Sequence, residues 1–124
     1  MGEGKPGKMG LKKYPKRGEI YLVALDPTVG SEISKTRPAL VISNDINNQY
    51  SETITVIPIT SFVEKIYPFE VLIHPGKSGL SNNSKAKCNQ IRTIDKMRLI
   101  KSLGKIRPEI MKTVEEATKI HLKM

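Results

Sequence analysis

The sequence predicts a single domain of the mainly β (α+β) class, in which five short strands precede one helix. The chain has 124 residues, a length that corresponds to one domain with one core. Between residues 20 and 94, runs rich in Ile, Val, Leu and Thr are separated by segments rich in Pro, Gly, Asn and Asp, which is typical of strands and turns. From residue 108 onward the apolar residues instead recur at intervals of three and four, as in an amphipathic helix.

The strands are predicted at residues 20–25, 38–43, 53–60, 69–73 and 87–94. After the second strand, Asn44 and Asp45 are predicted to form a turn. In the third strand Pro58 lacks a backbone N–H, so we expect an edge position or a bulge there. The segment 77–86 is rich in Ser, Asn, Gly and Lys, and it is predicted to be a mobile loop.

The C-terminal helix is predicted to begin at Pro108, because proline is favoured in the first turn. Before it, Asp95 is expected to cap a short helical turn that ends at Leu99. On the solvent side of the helix, Glu115 and Lys119 are spaced to form an ion pair. The predicted apolar stripe, with a histidine at its boundary, consists of Ile110, Val114, Ala117 and His121.

The connection between the first two strands is a candidate functional site. It spans about ten residues without predicted structure, and connections of this length are more often functional than plain linkers. Four polar side chains stand in this loop or at the start of the next strand: Ser31, Glu32, Lys35 and Arg37. In the fifth predicted strand, Gln90 and Arg92 should share one face because side chains alternate along a strand.

The net charge of +9 indicates an anionic partner. Segment 1–17 holds six Lys or Arg residues and one acid, which leaves +4 for the remaining chain. Residues 1–15 are rich in Gly and Lys and poor in apolar side chains, so they are predicted to be a flexible basic tail. Residues 16–124 then form the folded domain. The tail is either a solvated extension or an electrostatic aid to nucleic-acid binding.

The cysteine and histidine content argues against a disulfide framework and against a metal site. Cys88 is the single cysteine, and His74 and His121 are far apart in the chain. The aspartates stand at predicted turns and caps, which makes a two-metal nuclease improbable. No apolar run approaches the roughly 18 residues of a membrane span, and no signal peptide is recognisable. We therefore expect a cytoplasmic protein without cofactors.

Metal-free cleavage is chemically accessible for RNA, because its 2′-hydroxyl can attack the adjacent phosphate when the added negative charge is stabilised. Arg37 suits this task, since a guanidinium stays protonated and binds two phosphate oxygens at once. The following Pro38 favours an extended backbone at Arg37. From spacing alone, the alternative is that Arg37 is a surface cation near the start of a strand.

Several segments resemble the MazF/PemK toxins, in the same order and at similar spacing: Arg17-Gly-Glu-Ile-Tyr21, Leu25-Asp-Pro-Thr-Val-Gly-Ser-Glu32, Lys35-Thr-Arg-Pro-Ala-Leu-Val-Ile-Ser-Asn44, Tyr67-Pro-Phe-Glu-Val71 and Gln90-Ile-Arg-Thr-Ile-Asp95. The resemblance covers roughly residues 17–124. It implies a small, curved, antiparallel SH3-like barrel of the CcdB/MazF type with a C-terminal helix, and a homodimer. One departure is segment 81–88, which is more polar and basic than the apolar segment usual before this glutamine.

The resemblance also implies roles for individual residues. Arg37 matches the catalytic arginine of the family's Arg-Pro motif, and Thr60 matches its catalytic Thr or Ser. Glu32 matches the acidic residue of the Gly-Ser-Glu loop, as a proton acceptor or as a group that orients Arg37. The residues expected to bind RNA are Ser31, Lys35, Gln90 and Arg92.

Three functions are open at this point. The favoured one is a metal-independent endoribonuclease that cleaves single-stranded mRNA sequence-selectively, leaves a 2′,3′-cyclic phosphate and a 5′-hydroxyl, and is inhibited by an acidic antitoxin. A CcdB-like gyrase-binding poison of the same fold is the second, although Arg37 and Thr60 argue against it. The third is a non-catalytic nucleic-acid-binding module, which the charge alone would permit.

Overall fold

The computed structural model describes residues 13–33 and 35–124. Most of the predicted basic tail, residues 1–12, therefore lies outside the described residues. Pro15, at the end of that predicted tail, is buried. In the described ranges, no helix is both long enough and apolar enough to cross a membrane.

Seven strands and two α-helices lie within the described residues. The strands are β1 (Glu19–Ala24), β2 (Thr36–Val41), β3 (Thr53–Thr60), β4 (Glu70–Ile73), β5 (Ser84–Lys87), β6 (Arg92–Asp95) and β7 (Leu99–Lys105), and the helices are α1 (Asp45–Tyr50) and α2 (Pro108–Leu122). The strands form one antiparallel sheet in the order β4-β5-β3-β2-β1-β7, with β6 also paired to β3. This confirms the mainly β class with a C-terminal helix, although the sheet does not close into a complete barrel.

Strand β3 is central, and its register with β2 is regular at Pro58, so neither the edge position nor the bulge that was predicted there is found. One side of β3 pairs with β2, and the other side pairs first with β6, through Val56, and then with β5, from Ile59 onward. The two ladders on this second side leave a gap at Ile57 and Pro58. The proline thus marks a break in pairing within a central strand, where its missing N–H interrupts neither of these two ladders.

The two faces of the sheet have separate apolar clusters. On one face, called the helix face, α2 packs through Met111, Val114 and Ala117 against the cluster that contains Leu40 and Ile57. Because side chains alternate along each strand, the residues between them point to the opposite face. The apolar cluster on that opposite face consists of Val23, Leu25, Ala39, Val41, Ile54, Val56 and Ile94.

Helix α2 confirms the predicted start at Pro108, but its buried stripe differs from the prediction. The buried residues are Met111, Val114, Ala117 and Thr118. His121 is exposed, so the prediction that it lies at the core boundary is wrong. Glu115 pairs with Arg17, which also donates to the carbonyl of Ile42. Lys119 lies 3.9 Å from Glu116 instead of pairing with Glu115.

Three other elements differ from the sequence-based assignment. The predicted turn at Asn44 is the start of α1, where the Asn44 side chain accepts from the N–H of Asn47 at 2.8 Å. The predicted fifth strand is divided by a 3-10 helix, Cys88–Gln90, and its first part, β5, extends back into the predicted loop. Strand β7 was not predicted, because apolar and polar residues do not alternate regularly along its sequence. The cap at Asp95 is confirmed.

Candidate active site

Three polar side chains from three neighbouring strands form a row on the opposite face of the sheet. Extending the β2–β3 register by two residues places Arg37 across from Thr60. Thr60 is in turn the cross-strand partner of Lys85. Residues that face each other in this way have Cβ atoms about 5 Å apart. All three line one cleft of about 700 Å³, called the main cleft, together with Ser31, Lys87 and Gln90.

Arg37 and Thr60 lie near the ends of their strands, beside the main cleft. Arg37 lies near the start of β2, is half-buried, and is followed by Pro38 within the strand. Thr60 ends β3, and its Oγ1 accepts a hydrogen bond from the N–H of Phe62 at 3.2 Å. Because this bond uses the oxygen as an acceptor, the hydroxyl proton remains able to donate to a ligand in the cleft.

Gln90 fixes the loop between β1 and β2, the candidate site predicted from the sequence. Its Oε1 accepts from the N–H of Ile33 at 2.9 Å, and its Nε2 donates to the carbonyl of Ser31 at 3.4 Å. The side chain emerges from the 3-10 helix and not from a strand. Gln90 therefore closes the loop against the sheet directly beside the main cleft.

A second cleft of about 420 Å³ adjoins the main one, and Ser31 and Gln90 line both. Its other lining residues are Glu32, Asn89, Ile91 and Arg92. Gln90 and Arg92 thus meet at one surface, as predicted, although only Arg92 belongs to a strand. In the part of the chain that the structure describes, the buried Oδ1 of Asn89 has no hydrogen-bond partner.

Glu32 and Lys35 are less closely associated with the row. Glu32 lines the second cleft, and its Oε1 accepts from the N–H of Val29 at 2.6 Å, which closes a turn of the loop. Lys35 is exposed, has a positive φ of 66°, and lines neither cleft. The structure therefore brings Arg37, Thr60, Ser31 and Gln90 together, with Glu32 and Arg92 next to them and Lys35 apart.

The main cleft is also lined by part of an ionic cluster that was not predicted from the sequence, formed by Glu70, Lys85 and Lys87. Lys85 Nζ and Lys87 Nζ each lie 2.9 Å from one oxygen of the Glu70 carboxylate. Lys85 also donates to the carbonyl of Lys65 at 2.7 Å. A signal was present, because Ala86 and Cys88 alternate with the two lysines as in a half-buried strand.

The Glu70 carboxylate is ionised at neutral pH despite its burial. Burial alone would raise the pKa of Glu70, but the Tyr67 N–H and the ammonium groups of Lys85 and Lys87 lower that pKa below its ordinary value of 4.5. The N–H of Tyr67 contacts the carboxylate at 3.0 Å. The two lysines thus share one negative charge, and the cluster has a net charge of +1.

Two other kinds of catalytic group, a bound metal ion and a cysteine nucleophile, find less support in the described residues. Among them, no group of three or more His, Cys, Asp or Glu side chains is placed to hold a metal ion. Cys88 is buried on the helix face, and burial raises the pKa of its thiol, so the reactive thiolate is disfavoured.

The fold is that of MazF proteins. MazF (Form-I) from Deinococcus radiodurans is 26% identical and has a TM-score of 0.79, covering 91% of this chain and 100% of that one. A MazE–MazF structure (Form-II) from the same organism is 27% identical, with a TM-score of 0.71 and coverage of 89% and 96%.

Sequence comparison gives the family. Endoribonuclease MazF9 of Mycobacterium tuberculosis is 42% identical over 112 residues, 86% of this chain and 95% of that protein. Endoribonuclease EndoA of Bacillus subtilis is 43% identical over 108 residues, 86% of this chain and 93% of that protein. Residues 16–122 match the PemK-like, MazF-like toxins of type II toxin–antitoxin systems. The chain belongs to this family, as its sequence motifs predicted.

The clamp made by Gln90 can be tested by amide hydrogen exchange. Gln90→Ala removes the acceptor of the Ile33 N–H, and a hydrogen bond of this kind contributes about 0.5–1.5 kcal/mol. We expect exchange at Ile33 to become about 2- to 12-fold faster. Gln49→Ala, on the exposed side of α1, is the matched control and should leave this amide unchanged. Unaltered exchange at Ile33 in Gln90→Ala would contradict the clamp.

Proposed function

We propose that the protein is an endoribonuclease toxin that cleaves single-stranded mRNA sequence-selectively and without a metal ion. The observation that carries this proposal is the position of Arg37 across from Thr60 in one cleft. The names of the relatives MazF9 and EndoA as endoribonucleases support it. The high positive charge supports an RNA substrate, because phosphate contacts dominate nucleic-acid affinity.

The proposed reaction uses the substrate's own nucleophile. The 2′-oxygen loses its proton and forms a bond to the adjacent phosphorus, and the bond from phosphorus to the 5′-oxygen breaks. The departing 5′-oxygen takes up a proton from solvent or from the group that accepted the first one, so the products are a 2′,3′-cyclic phosphate and a 5′-hydroxyl. Arg37 would bind the two non-bridging oxygens, on which negative charge increases in the transition state. The Thr60 hydroxyl would donate a third hydrogen bond to the same phosphate.

The remaining residues are assigned to proton transfer and to binding. Glu32 is the candidate acceptor for the 2′-hydroxyl proton, or it is the group that orients Arg37. Gln90 and Ser31 lie where the two clefts meet, so an RNA strand that occupies both clefts would pass them. Arg92 in the second cleft would contact a phosphate or a base. Lys35, exposed directly before β2, would bind RNA phosphates through its charge alone.

We further propose a cognate antitoxin and a homodimer. The Deinococcus radiodurans relative is known in a MazE–MazF complex. An acidic, unfolded segment of such an antitoxin would suit a basic toxin, because it can replace the RNA phosphates. For the homodimer, the exposed apolar side chains of Met97 and Ile100 offer surface that the monomer core does not use. The cytoplasm is the expected compartment.

The chemistry predicts both the metal requirement and the product ends. Purified protein should cleave a long RNA in the presence of excess EDTA, and the fragments should have 2′,3′-cyclic phosphates and 5′-hydroxyls. The ends can be identified by mass spectrometry and by ligation. A 5′-phosphate that ligates directly would rule out the internal nucleophile, and an intact RNA would favour a non-catalytic binding module.

The roles of Arg37 and Thr60 predict separate losses of activity. Arg37→Ala should lower the single-turnover rate about 10²- to 10³-fold, because one donor to the transition-state charge is removed. Thr60→Ala should cause an equal or smaller loss. Arg107→Ala is the control, since Arg107 is an exposed arginine at the start of α2, and it should cleave at the wild-type rate. Full activity in Arg37→Ala would refute the assigned site.

The antitoxin proposal predicts competition with RNA. The acidic product of the neighbouring gene should displace an uncleavable RNA analogue from the Arg37→Ala protein. Raising the salt concentration should weaken antitoxin binding without abolishing it, because apolar burial contributes besides charge. Fluorescence anisotropy of labelled RNA measures both effects. Simultaneous binding of antitoxin and RNA without loss of affinity would show that the two use different surfaces.

A further inference from the structure

The ionic cluster of Glu70, Lys85 and Lys87 lies beside the proposed catalytic pair and has no part in the reaction described above. Lys85 is the cross-strand neighbour of Thr60, and Lys87 is the cross-strand neighbour of Glu70. Lys85 and Lys87 are two residues apart on the same face of β5, which separates their Cα atoms by roughly 7 Å. One nucleotide can therefore contact both Thr60 and Lys87.

The two lysines are used differently. The Lys85 side chain is only 4% exposed, and its ammonium group donates to Glu70 and to the carbonyl of Lys65. The Lys87 side chain is 22% exposed and lines the main cleft. Within the described residues the ammonium group of Lys87 has one hydrogen-bond partner, the Glu70 carboxylate. An ammonium group has three N–H donors, so two donors of Lys87 remain for a ligand.

The same part of the cleft has aromatic walls. Phe62 and Tyr67 both line it and are 63% and 43% exposed. Lys85 Nζ lies 5.9 Å from the Phe62 ring centroid and 6.0 Å from that of Tyr67, and Tyr67 stacks on Phe69 at 5.4 Å. Exposed aromatic rings beside a cationic groove are a common surface for unstacked nucleobases. A phosphate group cannot stack on these rings, so they favour a base over a phosphate in this part of the cleft.

We propose that Lys87, positioned by Glu70 and Lys85, selects a keto base, guanine or uracil, at a position next to the scissile phosphate. Lysine has donors and no acceptor, so its free N–H groups match carbonyl oxygens such as guanine O6 and uracil O4. Adenine N6 and cytosine N4 are themselves donors and would face the ammonium unfavourably. This inference rests on the proposed endoribonuclease function and supplies one rule of its sequence selectivity.

The cleavage site is first mapped on a long RNA. The test then uses two sets of four short single-stranded RNAs, one set varied at the base on the 5′ side of the site and the other at the base on the 3′ side. We expect wild-type protein to cleave the guanine or uracil substrate about tenfold or more faster, in kcat/KM, than the adenine and cytosine substrates. Lys87→Met should bring this ratio close to one, whereas Lys87→Arg, which retains N–H donors, should keep the preference. Lys112→Met, an exposed lysine of α2, is the matched control and should change neither rate nor preference.

The outcomes separate this inference from the function on which it rests. Absence of cleavage by the wild type would refute the endoribonuclease, and undiminished cleavage by Arg37→Ala would refute the assigned catalytic site. Cleavage without a keto preference at either flanking base would overturn the inference alone. A uniform loss of rate in Lys87→Met with an unchanged base profile would also overturn it, because that result indicates a phosphate contact. If Lys87→Met does not fold, the wild-type and Lys87→Arg profiles decide.

Discussion

The alternation of side chains along β3 is the constraint on which the rest of the structure depends. Ile57 and Ile59 point to the helix face and pack with α2 in one cluster, while Ile54, Val56 and Thr60 point the other way. A shift of one residue in register would turn Thr60 to the helix face and place Ile59 at the main cleft instead. The apolar burial that fixes this register therefore also fixes the position of Thr60 beside Arg37. Core and site are set by one pairing pattern.

The buried carboxylate of Glu70 adds a second constraint in the same cleft. A carboxylate removed from water is strongly destabilising unless its charge is compensated, and here two ammonium groups and one N–H compensate it. Removing one partner of a buried ion pair typically lowers the free energy of unfolding by about 3–5 kcal/mol, because the other charge is left uncompensated. The contact between Lys85 and the carbonyl of Lys65 further ties the β3–β4 loop, with Phe62 and Tyr67, to the sheet.

The sequence was sufficient for elements whose pattern is local, and insufficient where tertiary contacts decide. Strand β3 and the start of α2 were predicted at their observed residues, because β-branched runs and an initial proline are strong local signals. Most of strand β5 was predicted to be a loop, because lysines are usually exposed to solvent. Lys85 is nevertheless buried, and its charge is compensated by Glu70, 15 residues away in the sequence. Arg37, Thr60 and Gln90 were found through the family resemblance, whereas Lys85 and Lys87 lie in none of its motifs, and Glu70 lies in a motif that assigned it no role. Their pairing across β4 and β5 is visible only in the fold.

The family motif assigns Glu32 a role in the reaction, but its hydrogen bonds in the structure are structural ones within the β1–β2 loop. Its carboxylate accepts from the N–H of Val29, and its own N–H donates to the carbonyl of Val29, so the residue closes a turn of the loop with both its side chain and its backbone. Gln90 holds the same loop two residues later, at Ser31 and Ile33. Since Ser31 lines both clefts, the shape of this turn determines how the second cleft joins the one that contains Arg37 and Thr60. Glu32 therefore has a structural role in shaping the loop, whether or not it also accepts a proton in the reaction.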